Sequence, residues 1–420
     1  MKILRYLTPW LALSAAVFCV WLLGGQTGGD ATLSPASPSG TAPAGTPAPA
    51  IHMPVGSPAP ATGQARQELA GVWVPYMALA TEEHSQAAFE ENFKRIADSA
   101  HEKGLNALIV HVRAFCDALY PSALYPWSHL LTGEQGKDPG FDPLQFMVDY
   151  THSLGMEFHA WLNPLRVRTA ETPAQLSGDN PYEMLQASDP YYFMEWEGAV
   201  YLNPAYPYVR TLIAEGAAEI AEKYSVDGIH FDDYFYPAED GALDTEAYRL
   251  YLENVEQPVP LLEWRTANIS AMVAEVYDRV KAARPAVRFG ISPQGNIHND
   301  TNMGADVAAW CAVPGYIDYI CPQLYYGFEN PGLNFSQAME QWQALPRCEE
   351  VALYAGLALY KAGNPEQGAN WAGGDVISRQ IAAARAVPCD GIILYSSAYL
   401  DAEQTAEEMR RAVETLAQMP

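Results

Sequence analysis

Basic residues are scarce in this chain of 420 amino acids. It has 24 Lys and Arg against 50 Asp and Glu, a formal net charge of −26. A surface of that sign has little to offer a phosphate backbone, so no nucleic-acid partner is expected, nor any adhesion to anionic lipid through bulk charge. The acidity itself reads as solubility. Cysteine is also sparse, at six residues, and Cys116, Cys311 and Cys321 have no metal-ligand spacing. A Gly-rich phosphate turn is missing after the first predicted strand, where the chain reads Val74-Pro-Tyr-Met-Ala78. That argues against a doubly wound nucleotide-binding sheet. Neither a metal nor another cofactor is expected.

A long apolar run occurs from Tyr6 to Leu23, behind the basic start Met1-Lys-Ile-Leu-Arg5. Residues 1–24 read as a signal peptide or a signal-anchor. No small-x-small cleavage site stands out, which favours the anchor. Phe18 before Cys19 argues against lipid attachment. Residues 25–65 are rich in Ala, Pro, Thr, Ser and Gly. They cannot build a core and read as a disordered, extended tether. If polyproline-like, at about 3.1 Å per residue, the tether reaches on the order of 100 Å. The expected location is extracytoplasmic, either membrane-anchored at the N-terminus or secreted, with membrane contact only through that first segment.

Residues 66–420 alternate between short apolar strands and amphipathic helices. The strand candidates are Gly71–Tyr76, Ala107–Arg113, Glu157–Asn163, Gly228–Asp232, Arg288–Ser292, Ile317–Gln323, Val351–Gly356 and Gly391–Ser396. Eight such units over about 350 residues predict an α/β fold, a (β/α)8 TIM barrel. Connections after strands are long (114–142, 164–207, 233–260, 357–374), whereas those before strands are short. The working face therefore lies at the carboxyl ends of the strands. Cys348 and Cys389 precede the last two strands in matching places and read as a candidate disulfide.

Alternation along each strand selects the inward-facing tips. Strand two offers His111 and Arg113, with Asp117 in the following loop. Strand three offers His159, Trp161 and Asn163, then Arg166. Strand four offers His230 and Asp232, with Asp233 and Tyr234 next. Ser292, Gln294 and Asn296 follow strand five, Gln323 and Tyr325 strand six, and Tyr395 ends strand eight. An acid at the tip of an apolar strand is costly unless it is paired or used, which puts Asp232 first. Asp233 joins it only if the strand ends at Asp232, and Asp117 is the remaining acid. Aromatic rings beside amides, Arg and carboxylates suit a polyhydroxylated ring. Such a site suits a saccharide, with Asp232, Asp233 and Asp117 as its carboxyl groups and Arg113, His159, Trp161, Asn163, Arg166, His230, Tyr234, Gln294, Asn296, Gln323, Tyr325 and Tyr395 as candidate binders.

Several strings carry a resemblance: Gly71-Val-Trp73, His111-Val-Arg113 with Asp117-Ala-Leu-Tyr-Pro-Ser122, His159-Ala-Trp-Leu-Asn-Pro164, Tyr201-Leu-Asn-Pro204, Asp227-Gly-Ile-His-Phe-Asp-Asp-Tyr-Phe-Tyr-Pro237, Gly290-Ile-Ser-Pro293 and Ile317-Asp-Tyr-Ile-Cys-Pro-Gln323. Together they resemble the glycosyl-hydrolase-10-like family of bacterial extracytoplasmic (β/α)8 barrels. The resemblance implies a barrel that hydrolyses glycosidic bonds, in one branch those of peptidoglycan glycan strands stripped of their peptides. A looser likeness is to chitinase-type barrels, whose fourth strand ends Asp-Gly-x-Asp-x-Asp-x-Glu. Here Asp227, Gly228 and Asp232 match, and Tyr234 stands where the acid Glu would be. The expected partner is a carbohydrate polymer, most directly a cell-wall glycan. The alternatives are another extracellular polysaccharide and a barrel that binds glycan without cleaving it.

Overall fold

The computed structural model describes residues 68–233 and 235–418. The expectations for the signal segment, for the tether and for Tyr234 fall outside the described residues. Among the described residues, no helix is long and apolar enough to cross a membrane.

Eleven strands form among the described residues, in chain order: β1 (Leu69–Val74), β2 (Ala107–Arg113), β3 (Glu157–Leu162), β4 (Arg166–Arg168), β5 (Phe193–Trp196), β6 (Ala199–Leu202), β7 (Gly228–Phe231), β8 (Arg288–Ile291), β9 (Tyr319–Ile320), β10 (Ala352–Leu357) and β11 (Gly391–Tyr395). Eight of them close a parallel barrel in the order β1-β2-β3-β7-β8-β9-β10-β11. Both faces of these strands are covered, which is why they read as nearly continuous apolar runs. The outward residues Val72, Leu108, Val110, Phe158, Ile229, Phe231, Phe289 and Ile291 pack in the layer under the helices. The inward residues Trp73, Ile109, Trp161, Tyr319, Cys321, Tyr354 and Ile393 fill the barrel itself.

The helices follow their own signals. In Gln86–Glu102 the Ser85 side chain caps Ala88 N, and Phe89, Phe93 and Ile96 are buried on one stripe. The left-handed Gly104 (φ 76°) then turns the chain into β2. Pro207–Lys223 starts with proline in its first turn, where the missing N–H is tolerated. The helical stretch after β8 is interrupted into two pieces, Ile297–Asn302 and Val307–Ala312. Gly304 at φ 78° breaks it, and Asp306 caps the second piece through Ala309 N.

Within the long connection from β3 to β7, strands β4, β6 and β5 form a small antiparallel sheet, which the alternation reading treats as loop. The Cys348–Cys389 disulfide is not formed, and both thiols are free. Cys348 Sγ faces Ala312 O at 3.1 Å, and Cys389 Sγ faces Leu353 O at 3.4 Å. The reason is barrel stagger. Paired residues on β10 and β11 differ by 37 in number (Tyr354 opposite Gly391), whereas the two cysteines differ by 41. Equivalent sequence positions are therefore displaced along the strands.

Candidate active site

Asp232 directly follows β7 at the barrel mouth and is buried, at 4 % exposure. Trp161 donates its indole N–H to Asp232 Oδ2 at 2.9 Å, and Asn163 Nδ2 stands 3.2 Å from both carboxylate oxygens. N–H donors of this kind complement a negative charge. Asn163 also accepts the backbone N–H of Arg166 at 2.9 Å, so one side chain grips Asp232 and fixes the entry to β4. Arg166 Nε donates to Ala114 O at 2.9 Å, and its guanidinium lies over Phe115 and Tyr76.

Asp233 stays with Asp232 because β7 ends at Phe231, so strict alternation no longer applies. Gln323 Nε2 donates to Asp233 Oδ1 at 3.0 Å and to Ser292 O at 3.1 Å. Burial pushes the Asp233 carboxyl above its ordinary range, against the lowering effect of the Gln323 bond. Behind it lies Asp300, buried, with Oδ1 accepting from Gln294 N at 2.9 Å. Burial and the nearby Asp233 push Asp300 well above the usual range, while the Gln294 bond opposes the shift.

An aromatic wall borders the carboxyls. The Tyr395 ring lies 6.1 Å from Trp73, 6.0 Å from Tyr325 and 5.9 Å from Tyr360. Tyr360 in turn approaches Tyr399 at 6.3 Å. Burial raises the Tyr395 hydroxyl to about 12, with Arg166 opposing and both aspartates contributing. These phenols are neutral donors and acceptors on flat apolar faces.

Deeper in the barrel, His230 accepts from Trp73 Nε1 at 3.1 Å and faces Tyr319 Oη at 3.0 Å through Nδ1. Trp73 can only donate, so the His230 proton sits on Nδ1. His159 Nδ1 meets the same Tyr319 hydroxyl at 3.0 Å, and its Nε2 lies beside Glu157 and Arg288. Burial lowers both histidines, so they are neutral supports for the floor and do not line the mouth. Among the described residues, no group of three acidic, His or Cys side chains has the placement to hold a metal ion.

Several expected binders lie elsewhere. Arg113 does not point into the barrel. Two β2 residues, His111 and Arg113, span the step that β3 makes from Trp161 to Leu162, and this bulge turns Arg113 outward. Its guanidinium lies 4.5 Å from the Tyr125 ring and against Gly216 of the Pro207–Lys223 helix. Asp117 is a buried loop anchor that accepts from Gln135 Nε2 at 3.0 Å and faces His129 Nδ1 at 3.3 Å. Gln294, by contrast, stays beside Gln323, with its side-chain oxygen accepting from Asn299, and Asn296 caps the following short helix. Asp232, Asp233, Trp161, Asn163, Arg166, Gln323, Tyr325 and Tyr395 do come together. Tyr360, Tyr399 and Glu171, which meets the Tyr76 hydroxyl, escaped the alternation rule because they sit in connections.

A closed parallel barrel with two mouth carboxyls and an aromatic wall defines a glycoside-hydrolase type of protein. Residues 68–373 match the Glycosyl hydrolase-like 10 family, and the chain belongs to it. It is 33 % identical to glycosyl hydrolase YngK of Bacillus subtilis (strain 168), over 72 % of this chain and 63 % of that relative. It is 31 % identical to glycosyl hydrolase DigH of Escherichia coli (strain K12), over 87 % of this chain and 89 % of that one. Two solved structures share the fold. The catalytic domain of β-amylase from Paenibacillus polymyxa matches with a TM-score of 0.56 at 10 % identity, over 84 % of this chain and all of that one. The PgaB (BpsB) glycoside hydrolase domain from Bordetella bronchiseptica matches with a TM-score of 0.52 at 12 % identity, over 83 % and 98 %.

Proposed function

We propose that this protein hydrolyses glycosidic bonds in a cell-wall glycan, peptidoglycan strands first among them, outside the cytoplasm and tethered through residues 1–65. The observation that carries the reading is the contrast between adjacent carboxyls. Asp232 is gripped by the N–H groups of Trp161 and Asn163, which suit a carboxylate. Asp233 has its carboxyl shifted towards the protonated form by burial. Carboxyl groups held in unlike environments in this way divide the work of a glycosidase. Asp233 holds the proton for the leaving oxygen, and Asp232 supplies the negative charge that meets the developing oxocarbenium centre. Tyr395, Tyr325 and Tyr360 cover the apolar face of the sugar, and Arg166 and Asn163 take polar substituents.

The membership in a family of glycosyl hydrolases and the relatives named above support cleavage over mere retention. The acidic surface and the Pro-rich tether suit a catalytic head held off a membrane within a wall. Purified sacculi, with and without prior amidase treatment, provide the test. Mass analysis should find saccharide fragments with new reducing ends, most abundant after the peptides are removed. Release of no fragments from either sample, with another polysaccharide cleaved instead, would overturn the wall assignment.

A further inference from the structure

Three histidines face the barrel interior, and the fold treats one of them differently. His159 and His230 each have both ring nitrogens engaged, largely through the shared Tyr319 hydroxyl. His111 has neither in full hydrogen-bond geometry: it is 2 % exposed, Nδ1 and Nε2 have no such partner among the described residues, and only the Arg113 backbone is close enough to favour its charged form. An unpaired buried polar group destabilises a fold. A phenylalanine would fill the same place without that penalty. The His111 ring lies flat on Trp161, 3.9 Å between centroids and 11° between planes. Trp161 is the residue that donates to Asp232. On the other side the Tyr76 ring meets His111 edge-on at 5.4 Å. Tyr76 is held by the exposed Glu171, and Arg166 lies across Tyr76 from its bond to Ala114 O.

We propose that His111 is a substrate-binding residue whose free ring nitrogens take a sugar hydroxyl beside Asp232 once Tyr76 and Arg166 turn aside. The inference rests on the glycosidase reading above. A neutral imidazole carries one donor and one acceptor, the same pair a hydroxyl presents. Burial, with Arg166 and His230 nearby, holds His111 well below its ordinary pKa against the raising effect of the Arg113 backbone, and so keeps the ring neutral.

The test compares the intact chain with His111→Phe and Asp232→Asn, using a β-1,4-linked N-acetylhexosamine tetrasaccharide as probe. Three readings are taken: melting temperature, kcat/KM, and the ring-nitrogen NMR signals of 15N-histidine-labelled protein. The His111 signals are identified by their loss in His111→Phe. The expected result is a His111→Phe protein that melts at or above the parent temperature, yet loses at least tenfold in kcat/KM. In the parent, saccharide should shift the His111 nitrogens and leave those of His159 and His230 in place. Parent-level kcat/KM in His111→Phe would overturn the proposal. So would a lowered melting temperature, which would mean that the nitrogens already have partners in the free protein. Absence of a His111 shift at saturating saccharide would also overturn it. No cleavage of the probe by the parent would remove the glycosidase reading by itself, and full activity in Asp232→Asn would remove only Asp232 from the chemistry, while the NMR shift still decides His111.

Discussion

Trp161 and Asp232 are joined by one hydrogen bond of 2.9 Å, from the indole nitrogen to Oδ2. The bond links the tip of β3 to the tip of its neighbour β7, since Trp161 and His230 are in register and Asp232 lies two residues further on. It fixes which way the carboxylate faces. Asn163 contacts both oxygens from the residue just past β3.

The Asp233 carboxyl is shifted upward by burial, so its acid form persists above the ordinary carboxylic range. A proton donor works below its pKa and fails above it. The turnover rate should therefore hold through mildly acidic pH and fall as pH rises through that elevated value. Asp233→Asn should lower the rate by at least about a hundredfold and abolish this limb. A full pH–rate profile of both proteins checks it.

Asp300 makes a separate claim about stability. Its folded pKa lies above the unfolded value, so the folded state holds the proton more tightly. That contribution is fully present below the unfolded pKa of about 3.9 and is lost as pH rises through the raised folded value. In Asp300→Asn this loss is absent. Melting curves from pH 4 to pH 8 should show the difference, variant minus parent, growing more positive with pH.

Gly216 reverses a common rule. In a helix interior, Gly→Ala usually stabilises by about 0.5–1 kcal/mol. Here a Cβ would stand 2.3 Å from Arg113 Nη1 and 2.6 Å from Tyr125 Cε2. Gly216→Ala should destabilise by about 1–3 kcal/mol, with kcat and KM unchanged. Denaturant titration and steady-state kinetics read the two halves.

Asp117 anchors Gln135 and faces His129. Asp117→Ala should lower stability by about 1–3 kcal/mol, because buried donors lose their acceptor. The kcat of the folded fraction should match the parent. A thiol titration belongs beside it: Cys116, Cys311, Cys321, Cys348 and Cys389 should all react in denaturant without reductant.

The barrel was legible because a parallel sheet buried on both faces leaves apolar runs that even short strands such as Gly228–Phe231 display. Asp232 was legible because an acid ending such a run has few structural excuses. Alternation failed at Arg113, where a bulge adds a residue that no local sequence feature announces. It failed for Cys348 and Cys389 because barrel stagger is a global property of closure. Tyr360 and Glu171 sit in irregular connections, where no periodicity tells which way a side chain turns. The polar layer of His159, Tyr319 and His230 was visible as residues but not as a network, because Tyr319 on β9 reaches the neighbouring strands β3 and β7 only across the barrel interior.

The most direct check on the whole account is the count of new reducing ends that Asp232→Asn generates from peptide-free wall glycan, alongside the parent protein and with circular dichroism on both. The variant should keep the parent spectrum and lose at least about a thousandfold in rate, as expected for removal of a group that contacts the reacting bond. A folded variant with parent turnover would contradict the assignment of Asp232 to the chemistry.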